Sequence, residues 1–141
     1  MSLLPEFIET RLTYPWQREM LHYLWVGVLA TIAQYVLLIF CVEIIHTSAV
    51  LGSSLGYLLG GTINYILNRH HTFASKKMHR KAILQFALVF TVAFFLNGTL
   101  LHAFQSFFNL PYLTAQIGTT ALVLVWNYLA HKFWTFRLEA V

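Results

Sequence analysis

Charged residues are scarce in this chain of 141 residues: Asp, Glu, Lys and Arg make up 10% of it, whereas hydrophobic residues make up 58%. A soluble domain needs a polar shell toward water, and about a quarter of its residues are usually charged. The composition excludes such a shell, so the solvent around most of the chain must be lipid. Cysteine is nearly missing as well, and the lone Cys41 excludes an intramolecular disulfide.

Long apolar runs, by contrast, are present four times, at residues 24–43, 49–67, 83–105 and 113–130. At 1.5 Å per residue, each run is about long enough to cross a hydrocarbon layer of ~30 Å as a helix. A helix bonds its own backbone groups, which have no water to bind in lipid. The sequence therefore predicts an all-α integral membrane protein, a single domain with four transmembrane helices.

Lysine and arginine are missing from two of the three loops, those that follow the first and the third apolar run. Because cations collect on the cytoplasmic side of a membrane, both termini and the middle loop are predicted to be cytoplasmic. Residues 1–20 contain no early apolar run, so we expect no cleavable signal peptide there. They are predicted to form a short interfacial helix anchored by Tyr14 and Trp16, with a loosely ordered tail as the alternative.

A ten-residue motif occurs twice in the chain. NYILNRHHTF at residues 64–73 returns as NYLAHKFWTF at residues 127–136, 63 residues later, with the Asn, Tyr, Thr and Phe identical. With the same offset, Gln34 in the first apolar run falls on Asn97 in the third. Such self-similarity at a fixed period predicts an internal repeat.

The two predicted units, residues 22–73 and 85–136, contain two spans each. Each unit therefore starts and ends on the cytoplasmic side, so the units are predicted to be parallel, with an axis near the membrane normal.

Each copy of the motif ends a predicted helix with amide or imidazole groups beside a cation. Such a set suits a phosphosugar, because a guanidinium can grip phosphate through two parallel hydrogen bonds and an amide can bind sugar hydroxyls. The alternative is that the cations only set the topology and the aromatic residues form a belt at the membrane surface. The candidate substrate-binding residues here are Asn64, Tyr65, Asn68, Arg69, Asn127, Tyr128, His131 and Lys132.

Three further candidates for substrate binding lie within the apolar runs: Gln34, Asn97 and Glu43. An amide in lipid needs a partner, so Gln34 and Asn97 are predicted to face other helices, either as interhelical glue or along a polar path. Glu43 is an ionisable group near the outer end of its span, with His46 and His102 as possible partners. A solvated carboxylate at the interface is the alternative.

Glycine is concentrated in the second apolar run, where Gly52, Gly56 and Gly60 lie four residues apart. Small residues at that spacing let another helix backbone approach closely, either within the bundle or between subunits. Four helices enclose little space, so we expect a homodimer with both copies in one orientation, packed through this stripe.

The doubled motif, together with the opening block LWVGVLATIAQYVL, resembles the GtrA-like family of small four-span membrane proteins over residues 22–137. The resemblance implies movement of polyprenyl-phosphate-linked sugars across the bacterial cytoplasmic membrane, or support of the glycosyltransferases that use them. The family's polar and basic positions match Asn64 and Arg69 in the first copy, and Asn127 and Lys132 in the second. The sequence departs from the pattern at His70-His71, which stand where Phe133-Trp134 stand in the second copy, and at His131, which replaces Asn68.

The function expected on these grounds is that of a flippase for a polyprenyl-monophosphate-linked sugar, moving it to the outer leaflet for O-antigen or lipopolysaccharide, teichoic acid or arabinogalactan modification. A non-catalytic subunit that supports a membrane glycosyltransferase is the first alternative, and a small proton-coupled exporter is the second. We expect no enzymatic activity, cofactor or metal, because no nucleophile–base set, metal-ligand spacing or phosphate-binding glycine loop occurs. Nucleic-acid binding is not expected, and membrane lipids are expected partners of the basic middle loop.

Overall fold

The computed structural model describes residues 15–72, 80–130 and 133, and every regular element in these ranges is helical. An all-helical chain with four membrane-spanning helices confirms the predicted fold class. Residues 1–14 lie outside the described residues, and with them most of the predicted interfacial segment. The four helices are α1 (Pro15–Ile39), α2 (Ala49–Thr72), α3 (Arg80–Phe108) and α4 (Tyr112–Ala130), and α1 continues into a π-helical turn (Phe40–Ile44).

All four helices are long and apolar enough to cross a membrane. Their surfaces are the reverse of those in a soluble bundle, because large apolar side chains face outward and amides face inward. Val36 and Phe95, for example, are 62% and 65% exposed, whereas Asn97 and Gln116 are 1% and 0% exposed. This distribution is expected where the surrounding solvent is hydrocarbon. The spans are Leu21–Ile44, Ala49–Leu67, Leu84–Phe108 and Tyr112–Ala130.

The glycine stripe of α2 packs against α1 of the same chain. A Cβ at Gly56 would lie 2.5 Å from the backbone oxygen of Gln34, and one at Gly60 would lie 2.7 Å from that of Ala30. Only glycine permits so close an approach of two backbones. The stripe is therefore occupied within the chain, and its predicted use as a dimer interface is wrong, whereas the homodimer itself stays a prediction.

Buried positions recur at the offset of the motif. The inward-facing residues of α1 have equivalents on α3, and those of α2 have equivalents on α4. This is the pattern that two copies of one unit produce, although the parallel relation of the units and the cytoplasmic termini stay predictions. The buried pairs are Val26 with Val89, Ala30 with Ala93, Gln34 with Asn97, Leu38 with Leu101, Gly52 with Ala115, Ser53 with Gln116, Gly56 with Thr119 and Gly60 with Val123.

Candidate functional site

Three buried side chains, on α2, α3 and α4, form a closed ring of hydrogen bonds inside the bundle. Asn97 Nδ2 donates to Ser53 Oγ at 2.8 Å, Ser53 Oγ donates to Gln116 Oε1 at 2.5 Å, and Gln116 Nε2 donates to Asn97 Oδ1 at 3.1 Å. Each residue is at most 1% exposed. Because lipid offers no partner for an amide or hydroxyl, the ring lets helices α2, α3 and α4 carry polar groups in their contact.

The ring extends to α1 through two half-buried hydroxyls. Gln116 Nε2 also donates to Thr120 Oγ1 at 3.2 Å, and that hydroxyl shares a hydrogen bond of 2.8 Å with Tyr35 Oη. All four helices thus contribute to one uncharged cluster of three hydroxyls and two amides, here called the polar cluster. It consists of Tyr35, Ser53, Asn97, Gln116 and Thr120.

The predicted pair of amides is divided between two environments. Both Gln34 and Asn97 are buried, as expected for amides in lipid. Asn97 is fully engaged in the ring, whereas Gln34 Nε2 has no hydrogen-bond partner within the described part of the chain. The Gln34 side chain instead lies over Gly56, whose missing Cβ would stand 3.1 Å from Gln34 Cγ.

The two copies of the motif are described only in part. Asn64 and Asn127 are half-buried near the ends of the second and fourth spans, and Tyr65 and Tyr128 are exposed. The Asn127 side chain lies beside the Tyr57 hydroxyl of α2, so the second copy contacts the first unit. The predicted binding residues that lie outside the described side chains are Asn68, Arg69, His131 and Lys132.

An aromatic column fills the contact between α2 and α3. Tyr57 lies with its ring centroid 5.2 Å from that of Phe90 and 6.3 Å from that of Phe94, and Tyr65 lies 6.5 Å from Phe86. Gly61 of α2 leaves the room that the Phe90 ring occupies. The column therefore packs α2 against α3 through aromatic rings.

Glu43 has a different partner from the two histidines that the sequence suggested. Its exposed carboxylate accepts a hydrogen bond of 2.7 Å from the Tyr112 hydroxyl at the start of α4. His102 contacts Ser106 of its own helix instead, at 3.4 Å. The π-helical turn that contains Glu43 shifts its direction relative to a regular helix. Within the described residues, no three His, Cys, Asp or Glu side chains are grouped to hold a metal ion.

One protein family matches this architecture over most of the chain. The family described as GtrA/DPMS, transmembrane domain, matches residues 22–136, which include all four spans and both copies of the motif. The chain belongs to the GtrA/DPMS family. It is therefore a multi-pass membrane protein of a family that handles sugars on carrier lipids. Neither a curated protein nor a solved structure matches the chain.

Sequence reasoning missed four members of this GtrA/DPMS protein's polar cluster. Ser53 and Gln116 carried a usable signal, since they stand 63 residues apart and occupy the same position in the two predicted units. Gln116 was also an amide within an apolar run, which is the criterion that selected Gln34 and Asn97. Tyr35 and Thr120 had no such signal, because a hydroxyl in a span commonly bonds to its own helix, as Thr119 does to Ala115.

Proposed function

We propose that this GtrA/DPMS family member is a flippase, which moves a polyprenyl-monophosphate-linked sugar from the cytoplasmic to the outer leaflet of the bacterial cytoplasmic membrane. The observation that supports the proposal most directly is the polar cluster, which lies inside the bundle and has members from all four helices. A sugar that crosses a bilayer loses its hydrogen bonds to water, and each lost bond must be replaced on the way. Uncharged amides and hydroxyls can replace these bonds in turn without holding the sugar permanently.

The phosphate of the substrate requires a different site. The polar cluster has no charged member, and an uncompensated phosphate within the hydrocarbon layer costs much free energy. We propose that Arg69 captures the phosphate at the cytoplasmic edge with Lys132 as the second cation, while Asn64 and Asn127 bind sugar hydroxyls. The half-buried positions of both asparagines near the ends of the second and fourth spans support this division.

Transport is proposed to be passive and driven by consumption of the sugar on the outer side. Glu43 is the one acidic residue of the described spans, and it lies exposed beside Tyr112 at the end of its span that is predicted to be the outer one. A proton carrier needs an ionisable group that alternates between the two sides. Its position thus favours a passive mechanism without enzymatic turnover, in a dimer that glycosyltransferases use as a source of substrate.

Reconstitution of the purified protein alone tests the proposal. Liposomes containing a labelled polyprenyl-phosphate sugar in both leaflets are treated with a membrane-impermeant reagent that destroys exposed sugars. We expect the reagent to destroy about half of the label without the protein and nearly all of it with the protein. The alternative result is that the label of the inner leaflet resists the reagent both with and without the protein. If that label becomes accessible only when a glycosyltransferase is added, the protein is a supporting subunit instead.

A further inference from the structure

Gln34 differs from every other amide of the polar interior that the structure describes in detail. Its residue is 7% exposed, yet Nε2 has no partner among the described residues. Asn97 and Gln116, at 1% and 0% exposure, form three hydrogen bonds between them and with Ser53. A buried donor without a partner keeps its desolvation cost uncompensated, so the folded protein would be more stable with an apolar residue at this position.

The residue at position 53 explains why Gln34 Nε2 stays unpaired. Gln116 reaches Asn97 with its amide, and these two residues belong to the second predicted unit. In the first unit the same two positions are held by Ser53 and Gln34. A serine side chain is two bonds shorter in reach than that of glutamine, and the Ser53 hydroxyl already bonds to Asn97 and Gln116. Gln34 is thus left without the partner that its equivalent has.

The side chain that carries the unpaired amide packs against two glycines of α2. A Cβ at Gly56 would lie 3.1 Å from Gln34 Cγ, and one at Gly60 would lie 3.7 Å from Gln34 Cβ. Gly56 follows Ser53 by three residues, so this glycine contact lies about one helical turn, ~5 Å, from the hydrogen-bonded ring. Close packing alone would be served equally well by leucine or methionine at position 34. The presence of an amide at position 34 therefore needs an explanation other than packing.

We propose that Gln34 is the primary contact of a binding subsite inside the helix bundle for the hydroxyl groups of a neutral sugar, which the polar cluster completes. This inference rests on the proposed function and assigns the sugar, rather than the phosphate, to these residues. A hydroxyl that enters the ring of Ser53, Asn97 and Gln116 replaces one existing bond by another. A hydroxyl that accepts from Gln34 adds a bond without breaking one, so Gln34 makes binding favourable.

A matched pair of substitutions separates binding from structure. Gln34→Met and Gln116→Met remove the same amide from two buried sites, one unpaired and one bonded to three residues. We expect the thermal midpoint in detergent to rise by about 2–4 °C for Q34M and to fall by at least as much for Q116M. A fall for Q34M comparable to that for Q116M would show that Gln34 is a structural residue and would overturn the proposal.

Binding is then measured with three radiolabelled probes: a polyprenyl monophosphate without sugar, the same lipid carrying a glucosyl group, and the same lipid carrying a mannosyl group. For wild type we expect tighter binding of at least one glycosylated probe. For Q34M we expect that gain to shrink by about 2- to 12-fold, the ratio that one neutral hydrogen bond gives, with binding of the sugar-free lipid unchanged.

The remaining outcomes separate this inference from the flippase proposal. Equal changes for sugar-free and glycosylated probes, or no gain from either sugar in wild type, would overturn the sugar subsite and leave the flippase proposal standing. Failure of wild type to bind any of the three lipids would overturn both.

Discussion

Ser53 Oγ donates a hydrogen bond of 2.5 Å to Gln116 Oε1 in the core. The two residues lie 63 positions apart in the sequence, which is the offset at which the ten-residue motif recurs. Two equivalent residues of a duplicated unit can touch only beside the axis that relates the units. If the units are related as predicted, the axis would therefore pass between α2 and α4, next to this contact. A substrate that crosses near this axis would meet equivalent groups from both units.

The turns at the other end of the bundle show the same correspondence. His46 and Asn109, 63 residues apart, are the non-glycine residues with positive φ in the described part of the chain, at 60° and 50°. The backbone N–H of the next residue bonds in each case to the carbonyl six residues earlier, from Thr47 to Cys41 and from Leu110 to Phe104. Local structure thus follows the predicted repeat even where the two sequences share no residue type.

Substitution of the glycine stripe tests the close contact between α1 and α2. Gly56→Ala places a Cβ 2.5 Å from a backbone oxygen, which cannot move like a side chain, so we expect a loss of about 1–3 kcal/mol in the free energy of unfolding. Gly27→Ala is the control, because no heavy atom lies within 4 Å of the added Cβ. It should be neutral or slightly stabilising, since alanine favours helix. Equal midpoints for both variants in thermal unfolding would contradict the close contact.

The contribution of the ring is measured with a double-mutant cycle of Ser53→Ala and Gln116→Met. We expect a coupling energy of about 0.6 to 1.7 kcal/mol, the range found between polar side chains in membrane helices. Thr62→Val combined with Gln116→Met is the control, because the Thr62 hydroxyl bonds to Leu58 of its own helix. Distant sites should show additive effects. Additivity within the Ser53 cycle would mean that the ring adds nothing to stability.

Hydropathy and spacing predicted the four spans and the burial of Gln34 and Asn97, because both follow from the solvent alone. They did not predict which amide would be paired, since that depends on the side-chain length at Ser53 and Gln116 across the bundle. The partner of Glu43 was also beyond the sequence, because the π-helical turn Phe40–Ile44 changes the direction of its side chain and has no clear sequence signal. The periodicity of the sequence shows which face of each helix is buried, whereas the hydrogen-bond partners of a side chain depend on distances in three dimensions.

Cysteine labelling tests the predicted topology. On a Cys41→Ala background, we expect an impermeant thiol reagent to reach Lys77→Cys and Lys132→Cys from the cytoplasmic side and Pro111→Cys from the outside. Pro111 is exposed in the connection between α3 and α4, so it serves as the matched outer position. Labelling of the two lysine positions from opposite sides would contradict parallel units.

Replacement of the Glu43 carboxylate tests the proposed passive mechanism. Glu43→Gln keeps the size of the side chain and an acceptor for the Tyr112 hydroxyl, but cannot carry a proton. We therefore expect its translocation rate in liposomes to match wild type, with or without an imposed proton gradient. Tyr112→Phe, which removes only the donor of the same bond, is the companion variant. A gradient dependence that is present in wild type and lost in E43Q would make Glu43 a proton carrier.

Arg69 is predicted to hold the phosphate more strongly than Lys132. Arginine offers two parallel donors to phosphate, whereas lysine offers one point charge, and a hydrogen bond to a charged group is worth roughly 1.5–3 kcal/mol. Arg69→Ala should therefore slow translocation by about 10- to 150-fold, and Lys132→Ala by less. Arg69→Lys keeps the charge but loses the two parallel donors, so its translocation rate should lie between those of the two alanine variants. Lys77→Ala in the middle loop controls for a general change of surface charge. The rates are compared in liposomes at equal protein content with the labelled lipid-linked sugar. A wild-type rate for R69A would refute the capture site, and a K77A defect equal to that of R69A would assign the effect to surface charge.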